Sequence, residues 1–143
     1  MPDVETTASF DGLAQARYVR LTTYRRDGTP VATPVWFALG DGALYAWTGE
    51  DTGKVKRIRN EPRVTVGPCN ARGTPTGPAY AASARVLAAG EGRRAYGLLK
   101  ARYRSAAAVY GAIGLLGRLT RRGRGFVGIA VEPAATVDLP APP

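Results

Sequence analysis

Alternating hydrophobic and polar positions predict that the first third of the chain folds as strands. In Tyr18–Tyr24 the odd-numbered residues fall on one face and the even-numbered residues on the other, which is the period of a half-buried strand. Arg26-Asp27-Gly28-Thr29 follows, and Asp-Gly readily adopts the positive φ angles of a tight hairpin turn. The same alternation returns in Val31–Leu39, so a second strand is expected to pair with the first.

Further strands are predicted on both sides of a short helix. Gly40-Asp41-Gly42 indicates a second hairpin turn, and it leads into a third strand that ends at Thr48. Residues 63–67, 78–89 and 126–131 form three more strand-like runs. Short strands in this order, with one inserted helix, predict a mainly β fold, an antiparallel barrel of about six strands with peripheral helices.

Two segments carry helical patterns. The first runs from Thr52 to Asn60, is basic, and is closed by Glu61-Pro62. The second, Glu91–Arg122, has apolar residues at steps of three and four, which predicts a long C-terminal helical segment. Its glycines leave open whether it forms one helix or two. Its arginines leave open whether it provides a basic groove for an acidic ligand tail or only a solvated face.

Pro34 is the unusual residue of the second strand. A proline cannot donate a hydrogen bond to a neighbouring strand, so it belongs at a sheet edge, at a bulge, or where something other than a strand lies alongside. An ordinary edge strand is the commoner explanation. The presence of Trp36, Trp47 and Thr48 nearby favours the alternative, in which a planar ligand lies where an adjacent strand stops.

The loop that opens the basic helix has the composition of an anion site. Thr48 ends a strand, Thr52 is a good N-cap residue, and Gly53-Lys54 follow directly. A hydroxyl, free backbone N–H groups, the positive end of a helix dipole and an ammonium group are therefore expected to converge on one phosphate. The alternative is a capped surface helix whose basic side chains are merely solvated.

Composition limits the chemistry that this chain can perform. Its 143 residues suffice for one domain, expected over 10–132 between a disordered tail at 1–9 and a proline-rich tail at 133–143. There is no histidine and a single cysteine, Cys69, which excludes an intrachain disulfide, a Cys/His zinc site and the common Ser-His-Asp and Cys-His catalytic groups. An enzyme of this composition is expected to rely on a cofactor, with no metal.

The formal net charge of +9 indicates an anionic partner. Nucleic acid is not expected, because the basic segments at 54–63 and 118–124 lack the aromatic side chains on which bases stack. No apolar segment is long enough to span a membrane, and the N-terminus has no secretory signal pattern. These observations predict a cytoplasmic protein with a phosphorylated or polycarboxylate small-molecule ligand.

Three motifs occur in a characteristic order, YVRLTTYRRDGTPVATPVWF, LYAWT and GKVKRIRNEPRVTV, followed by a long strand of small residues. This order resembles the pyridoxamine 5′-phosphate oxidase-like superfamily, whose fold is a split β-barrel. Within that superfamily, the chain looks most like the small reductases of actinobacteria that depend on the deazaflavin coenzyme F420. The match covers residues 10–90 well and the C-terminal third in outline.

The resemblance implies a homodimer with two cofactor sites at the subunit interface, and a small-molecule substrate. Each phosphate would be held by the Thr/Lys loop, and each ring would lie against the Pro-Val-Trp strand. No catalytic side chain is implied. Carried over by position, the cofactor-binding residues are Thr33, Pro34, Val35, Trp36, Phe37, Trp47, Thr48, Thr52, Gly53 and Lys54.

The choice of cofactor depends on two departures from the vitamin-B6 oxidases of this superfamily. Those enzymes have a basic residue at the start of the Pro-Val-Trp strand and another beside the lysine, where this chain has Thr33 and Gly53. The resemblance therefore implies an F420H2-dependent oxidoreductase that exchanges a hydride with an activated alkene or a similar small substrate. The alternatives are an FMN-dependent enzyme of the same fold and a non-catalytic flavin or deazaflavin storage protein.

Overall fold

A computed structural model of the chain describes residues 4–49, 52–102 and 126–134. These residues form eight strands, two α-helices and one turn of 3-10 helix at Asp11–Leu13. The helices are α1 (Gly53–Asn60) and α2 (Ala89–Arg102). The strands are β1 (Val4–Glu5), β2 (Tyr18–Tyr24), β3 (Pro30–Val35), β4 (Phe37–Gly40), β5 (Ala43–Gly49), β6 (Arg63–Cys69), β7 (Ala79–Val86) and β8 (Phe126–Pro133).

All of these strands belong to one sheet, in the order β3-β2-β6-β7-β8-β5-β4, with β1 added beside β7. Neighbours along this path are antiparallel, whereas β1 runs parallel to β7. The two ends of the path, β3 and β4, are separated in the sequence by Trp36 alone. Because two residue steps span at most about 7 Å, the sheet must curl until its ends meet. The prediction of a mainly β split barrel is confirmed.

The bend at Trp36 divides a strand that the sequence predicted as continuous over Val31–Leu39. Before the bend β3 pairs with β2, and after it β4 pairs with β5. The alternation of buried and exposed positions also breaks there, because the consecutive residues Phe37 and Ala38 are both buried. The prediction of one unbroken strand was wrong, although both hairpins lie where the sequence placed them.

The hairpin turns follow from local chemistry. Asp41 and Gly42 have φ angles of 54° and 80°, so both central positions of the β4–β5 turn are left-handed, as in a type I′ turn. In the β2–β3 turn Gly28 has φ 88°. The Asp27 carboxylate accepts a hydrogen bond from the Thr29 N–H at 2.9 Å. Each turn therefore places glycine where a side chain is disfavoured.

The barrel interior is filled by inward-facing residues of the strands together with one residue of α1 and two from the segment before β2. Their burial accounts for most of the hydrophobic stabilisation of the fold. This core consists of Phe10, Leu13, Val19, Leu21, Phe37, Leu44, Ala46, Ile58, Val64, Val66, Ala82, Ala84, Ile129 and Val131.

The ends of the chain differ in part from the sequence prediction. β1 lies inside the tail expected to be disordered, residues 1–9, and pairs with the start of β7. β8 extends one residue past the expected domain limit at 132. α2 accounts for the helical segment as far as Arg102. The rest of Glu91–Arg122, and nearly all of the tail at 133–143, lie outside the described residues.

α2 approaches β8 closely through small residues. A Cβ atom placed on Gly128 would lie 3.0 Å from Leu87 Cδ1, 3.2 Å from Gly92 Cα and 3.3 Å from Ala95 Cβ. These distances are shorter than ordinary van der Waals contacts, so the helix can pack at this depth only while position 128 lacks a side chain.

Gly128→Ala is expected to lower the free energy of unfolding by about 1–3 kcal/mol, because the added methyl group overpacks the contact between α2 and β8. Gly97→Ala on the same helix is the matched control, since Gly97 is exposed and no described residue lies within 4 Å of its ideal Cβ. That variant should be more stable by about 0.5–1 kcal/mol. Urea unfolding measures both changes. A Gly128→Ala protein as stable as the wild type would contradict the close approach.

Candidate functional site

The loop between β5 and α1 closes as a tight turn. Thr52 donates both its backbone N–H and its hydroxyl to the Gly49 carbonyl, at 3.2 and 2.9 Å. Thr52 occupies the N-cap position with an extended backbone, but its side chain accepts no hydrogen bond from the first turn of α1. The predicted N-cap position is correct, whereas the predicted side-chain cap is not formed. The amide groups at the start of α1 are therefore not covered by this hydroxyl.

The Arg57 side chain points back along α1 towards the N-terminal end of the helix. Its Nε donates a hydrogen bond to Thr23 Oγ1 at 2.6 Å. Its Nη1 lies 2.6 Å from where a Cβ on Gly53 would be, so any side chain at position 53 would displace the guanidinium group. Gly53 thus leaves space for the Arg57 guanidinium group beside Lys54, so the N-terminal end of α1 carries two cations.

These cations have no acidic partner in the described part of the chain. Burial lowers the pKa of Lys54, and the charge of Arg57 lowers it further. Burial likewise lowers the pKa of Arg57, with a smaller contribution from Arg25. The ion pairs among the described residues join other groups, Arg63 with Glu61, Arg85 with Glu91 and Arg94 with Asp41.

We call Arg25, Lys54 and Arg57 the cation cluster. Like charges that are partly removed from water destabilise one another, and a bound anion relieves this repulsion. Phosphate oxygens accept charge-assisted hydrogen bonds from ammonium and guanidinium groups. The same anion would raise the pKa of Lys54 towards that of an ordinary lysine. The cluster therefore has the charge and the donor set of a phosphate site.

Part of this cluster was missed by sequence reasoning. Arg57 follows Gly53 by four positions and Lys54 by three, a spacing that places side chains on one helix face, so the signal for its role was present. Arg25 and Thr23 follow from no local pattern, because they belong to β2 and its turn. They reach α1 only through the packing of the barrel.

The residues predicted to line the cofactor ring divide into two groups. Thr33, Pro34 and Val35 lie on the edge strand β3, where they pair with Leu21, Arg20 and Val19. Pro34 is exposed. A Cβ on Gly73 would lie 3.5 Å from Pro34 Cδ, so the loop after β6 runs alongside. Pro34 therefore lies on an edge strand, as expected, and a planar ligand beside it stays a prediction.

The aromatic members of the predicted site pack into the protein instead. Phe37 is fully buried in the core, with the Arg102 guanidinium carbon 4.3 Å from its ring centre. Trp47 stacks obliquely on Tyr96 of α2, with ring centres 5.1 Å apart. Trp36 and Trp47 both pack against the small buried cluster that contains Leu99. Phe37 is thus fully buried, whereas Trp36 and Trp47 are half-buried, and the place of these side chains in a ring site stays a prediction.

Thr48 faces the other way from its neighbour Trp47. Adjacent residues of a strand point to opposite sides of the sheet, and Thr48 is buried with 8% of its surface exposed. It directly precedes the turn at Gly49. The turn thus has Thr48 on its β5 side and Thr52, Gly53 and Lys54 on its α1 side.

Two hollows on the outside of the barrel are lined by residues of β2, β6 and β7. The larger, about 750 Å³, runs between the β2–β3 turn, the end of α1 and strands β6 and β7, and its charged lining residues are Arg25, Arg26, Glu61 and Arg63. Arg25 belongs to the cation cluster as well, so the groove begins at the cluster. Glu61 pairs with Arg63, which leaves the groove with a net positive charge.

The smaller hollow, about 390 Å³, lies on the outer face of β2, β3, β6 and β7. The linings of the two hollows share Tyr24 and Thr65, so the hollows are adjacent. The lining of the smaller hollow includes Arg20, Thr22, Ala32, Gly67, Pro68, Gly77 and Ala79.

Two other kinds of site find no support in the described residues. They contain no group of three or more His, Cys, Asp or Glu residues placed to hold a metal ion. None of their helices is long and apolar enough to cross a membrane.

Comparisons with known proteins agree with this architecture. Among curated proteins none matches the chain. A conserved hypothetical protein of Mycobacterium tuberculosis is 18% identical in sequence, with 100% of this chain and 96% of that one aligned at a TM-score of 0.59. A FAD-binding protein of Mesorhizobium loti is 19% identical over 85% and 82% of the two chains, with a TM-score of 0.54. An F420 reductase is 21% identical over 93% and 95%, with a TM-score of 0.53.

At these identities the solved structures establish the fold alone, and membership of a family rests on the sequence model. The model described as pyridoxamine 5′-phosphate oxidase matches residues 6–137, nearly the whole chain. Its match covers the edge strand β3, the β5–α1 turn and the whole lining of the larger hollow. The chain therefore belongs to the pyridoxamine 5′-phosphate oxidase family and has its split-barrel fold.

Proposed function

We propose that the protein is an F420H2-dependent oxidoreductase that transfers a hydride between reduced deazaflavin and a small substrate with an activated double bond. The observation that carries this proposal is the cation cluster, whose charges no carboxylate of the described residues neutralises. The F420 reductase and the FAD-binding protein that share the fold support a phosphate-bearing deazaflavin or flavin as the ligand.

In this proposal the phosphate is held by Thr48, Thr52, the Gly53 backbone and Lys54, with Arg57 beside them. Thr33, Pro34 and Val35 offer backbone groups and the accessible face of β3 to the ring. The reduced deazaflavin supplies the hydride when bound. The chain contributes position, because hydride transfer requires donor and acceptor carbons in near contact and a site without water.

Trp36, Phe37 and Trp47 have an indirect role in this proposal. They pack into the core or against α2, so their side chains hold β4 and β5 in place. The loop that follows β5 then has a fixed position relative to β3. No side chain is assigned as a catalytic acid or base, and the proton can come from solvent.

F420 is preferred to FMN on the basis of charge and space. Arg57 occupies the volume in which a side chain at position 53 would lie. The second basic residue that the vitamin-B6 oxidases have beside the lysine therefore does not fit there while Arg57 keeps this orientation. The basic groove begins at Arg25 and is lined by Arg26 and Arg63, which suits a ligand with an acidic tail more than one that ends at its phosphate.

A non-catalytic flavin or deazaflavin carrier is the second candidate. The sequence has no histidine, and this favours a role without acid–base chemistry, since histidine is the commonest catalytic acid or base. The two candidates differ in turnover. Oxidation of F420H2 by a panel of enones and quinones, measured as a rise in the visible absorbance of the oxidised deazaflavin, supports the enzyme, whereas tight binding without turnover supports the carrier.

We further propose that the protein is a homodimer whose partner subunit covers the outer face of β2, β3, β6 and β7. This face holds the two adjacent hollows. A self-complementary contact is the commonest way for a soluble chain to assemble. Such a contact would also enclose the cofactor ring on β3. A single subunit would leave one side of that ring open to solvent.

Lys54→Ala is expected to weaken F420 binding by tenfold or more, because a charge-assisted contact to phosphate contributes about 1.5–3 kcal/mol. Lys56→Ala is the matched control, since Lys56 lies on the same helix but is exposed. Fluorescence titration gives both dissociation constants, and thermal unfolding verifies that both variants are folded. Equal affinities for the two variants would remove Lys54 from the phosphate site.

The wild-type protein should bind F420 more tightly than FMN, and the difference should shrink as salt concentration rises. The expected cause is attraction between the basic groove and the glutamate tail, which added ions screen. Titrations of both cofactors across a salt series measure the preference. Tighter binding of FMN at physiological ionic strength would indicate a flavin enzyme or flavin carrier instead.

Assembly and cofactor binding should be linked if the site lies at a dimer interface. Dilution should then weaken F420 binding, and F420 should raise the melting temperature, because a ligand held across the interface stabilises the dimer by mass action. Sedimentation over a concentration series, with and without F420, measures this linkage. A monomer that binds one cofactor per chain with full affinity would show that each subunit has a complete site.

A further inference from the structure

Thr23 has an unusual environment for a strand residue. It and Thr48 are the buried polar side chains of the described residues, and Thr23 is the more buried, with 1% of its surface exposed. Its Oγ1 accepts a hydrogen bond from Arg57 Nε at 2.6 Å and donates one to the Val31 carbonyl at 3.4 Å. A valine would fill the same volume on this inward face. The hydroxyl therefore needs a reason beyond packing.

The contact with Thr23 fixes one edge of the Arg57 guanidinium group. Arginine has five N–H donors in a planar fork, and the bond from Nε leaves those of the two terminal nitrogens available. Nη1 and Nη2 lie 2.6 and 3.7 Å from the ideal Cβ position of Gly53. The terminal nitrogens thus lie above the first residue of α1, next to Lys54.

An arginine side chain has four rotatable bonds, and ordering it costs conformational entropy. In the free protein this order would otherwise be opposed by the charges of Lys54 and Arg25, which share the cluster. The hydrogen bond to the buried Thr23 hydroxyl offsets both the entropy cost and this repulsion. Arg57 is therefore pre-organised before any anion arrives, which lowers the entropic cost of binding.

We propose that Thr23 is a positioning residue for the phosphate site: its buried hydroxyl holds Arg57 so that both terminal nitrogens face the phosphate beside Lys54. This inference rests on the proposed function, because it assigns the phosphate to the cation cluster. It adds a determinant from β2, an element that contributes no predicted site residue. Thr23 does not touch the ligand and acts through Arg57.

The test compares Thr23→Val, which keeps the shape and removes the hydroxyl, with Thr23→Ser, which keeps the hydroxyl. Each is titrated with F420 and with the same deazaflavin and ribityl chain lacking the phosphate. Thr23→Val should bind F420 about threefold to tenfold more weakly, the value of one net hydrogen bond. Its affinity for the phosphate-free ligand should be unchanged. Thr23→Ser should restore F420 binding, and Thr23→Val should have no further effect in an Arg57→Ala background.

An equal loss of affinity for both ligands would overturn the inference, because it would show that Thr23 only supports the fold. The absence of any loss of F420 affinity in Thr23→Val would also overturn it. Inorganic phosphate separates this result from a failure of the proposed function. The inference can therefore be supported even if the wild type binds neither deazaflavin nor FMN. In that case phosphate should raise the melting temperature of the wild type and of Thr23→Ser more than that of Thr23→Val. The same rise in all three proteins, or none in the wild type, overturns it.

Discussion

The join between β3 and β4 is the constraint on which the rest of the structure depends. One residue, Trp36, connects strands that lie at opposite ends of the sheet path, so the sheet cannot flatten. Closure also determines where α1 lies, because this helix links β5 near one end of the path to β6 beside β2. Thr23 of β2 and Arg57 of α1 meet as a result. The candidate phosphate site is thus a product of barrel closure and not of the β5–α1 loop alone.

The charges of the cation cluster are electrostatically unfavourable for one another. Burial opposes the charged forms of Lys54 and Arg57, and each also experiences a positive neighbour. Folded proteins usually pair such charges, as this one does for Arg63 with Glu61 and Arg94 with Asp41. No carboxylate of the described residues pairs with the cation cluster. Like charges left in this way at the start of a helix are typical of a binding site, where an anion completes the structure.

Sequence reasoning succeeded where structure follows from neighbouring residues. The alternation in Tyr18–Tyr24 gave the correct inward face, since Val19, Leu21 and Thr23 are buried. The Asp-Gly turns and the start of α1 were also predictable, because φ preferences and helix signals act within a few residues. These local rules gave the loop that contains Thr48, Thr52, Gly53 and Lys54 as one unit.

Features that depend on distant contacts were not predictable in this way. The bend at Trp36 breaks the two-residue period, and a single sequence offers no signal that Phe37 packs beneath Arg102. Trp47 was expected beside a ligand, yet the hydrophobic side of α2 covers it through Tyr96. An aromatic side chain fits a ligand surface and a helix interface equally well, so only the fold distinguishes the two.

The contact between Gly53 and Arg57 also restricts how this site can change during evolution or engineering. A side chain at position 53 and the present orientation of Arg57 exclude each other. Introducing a second basic residue beside Lys54, the arrangement of the vitamin-B6 oxidases, therefore cannot proceed through position 53 alone. It requires Arg57 to be replaced or redirected at the same time, which leaves the Thr23 hydroxyl without its donor. Three positions on two elements are therefore coupled, so a side chain introduced at position 53 also moves Arg57 and alters its hydrogen bond to Thr23.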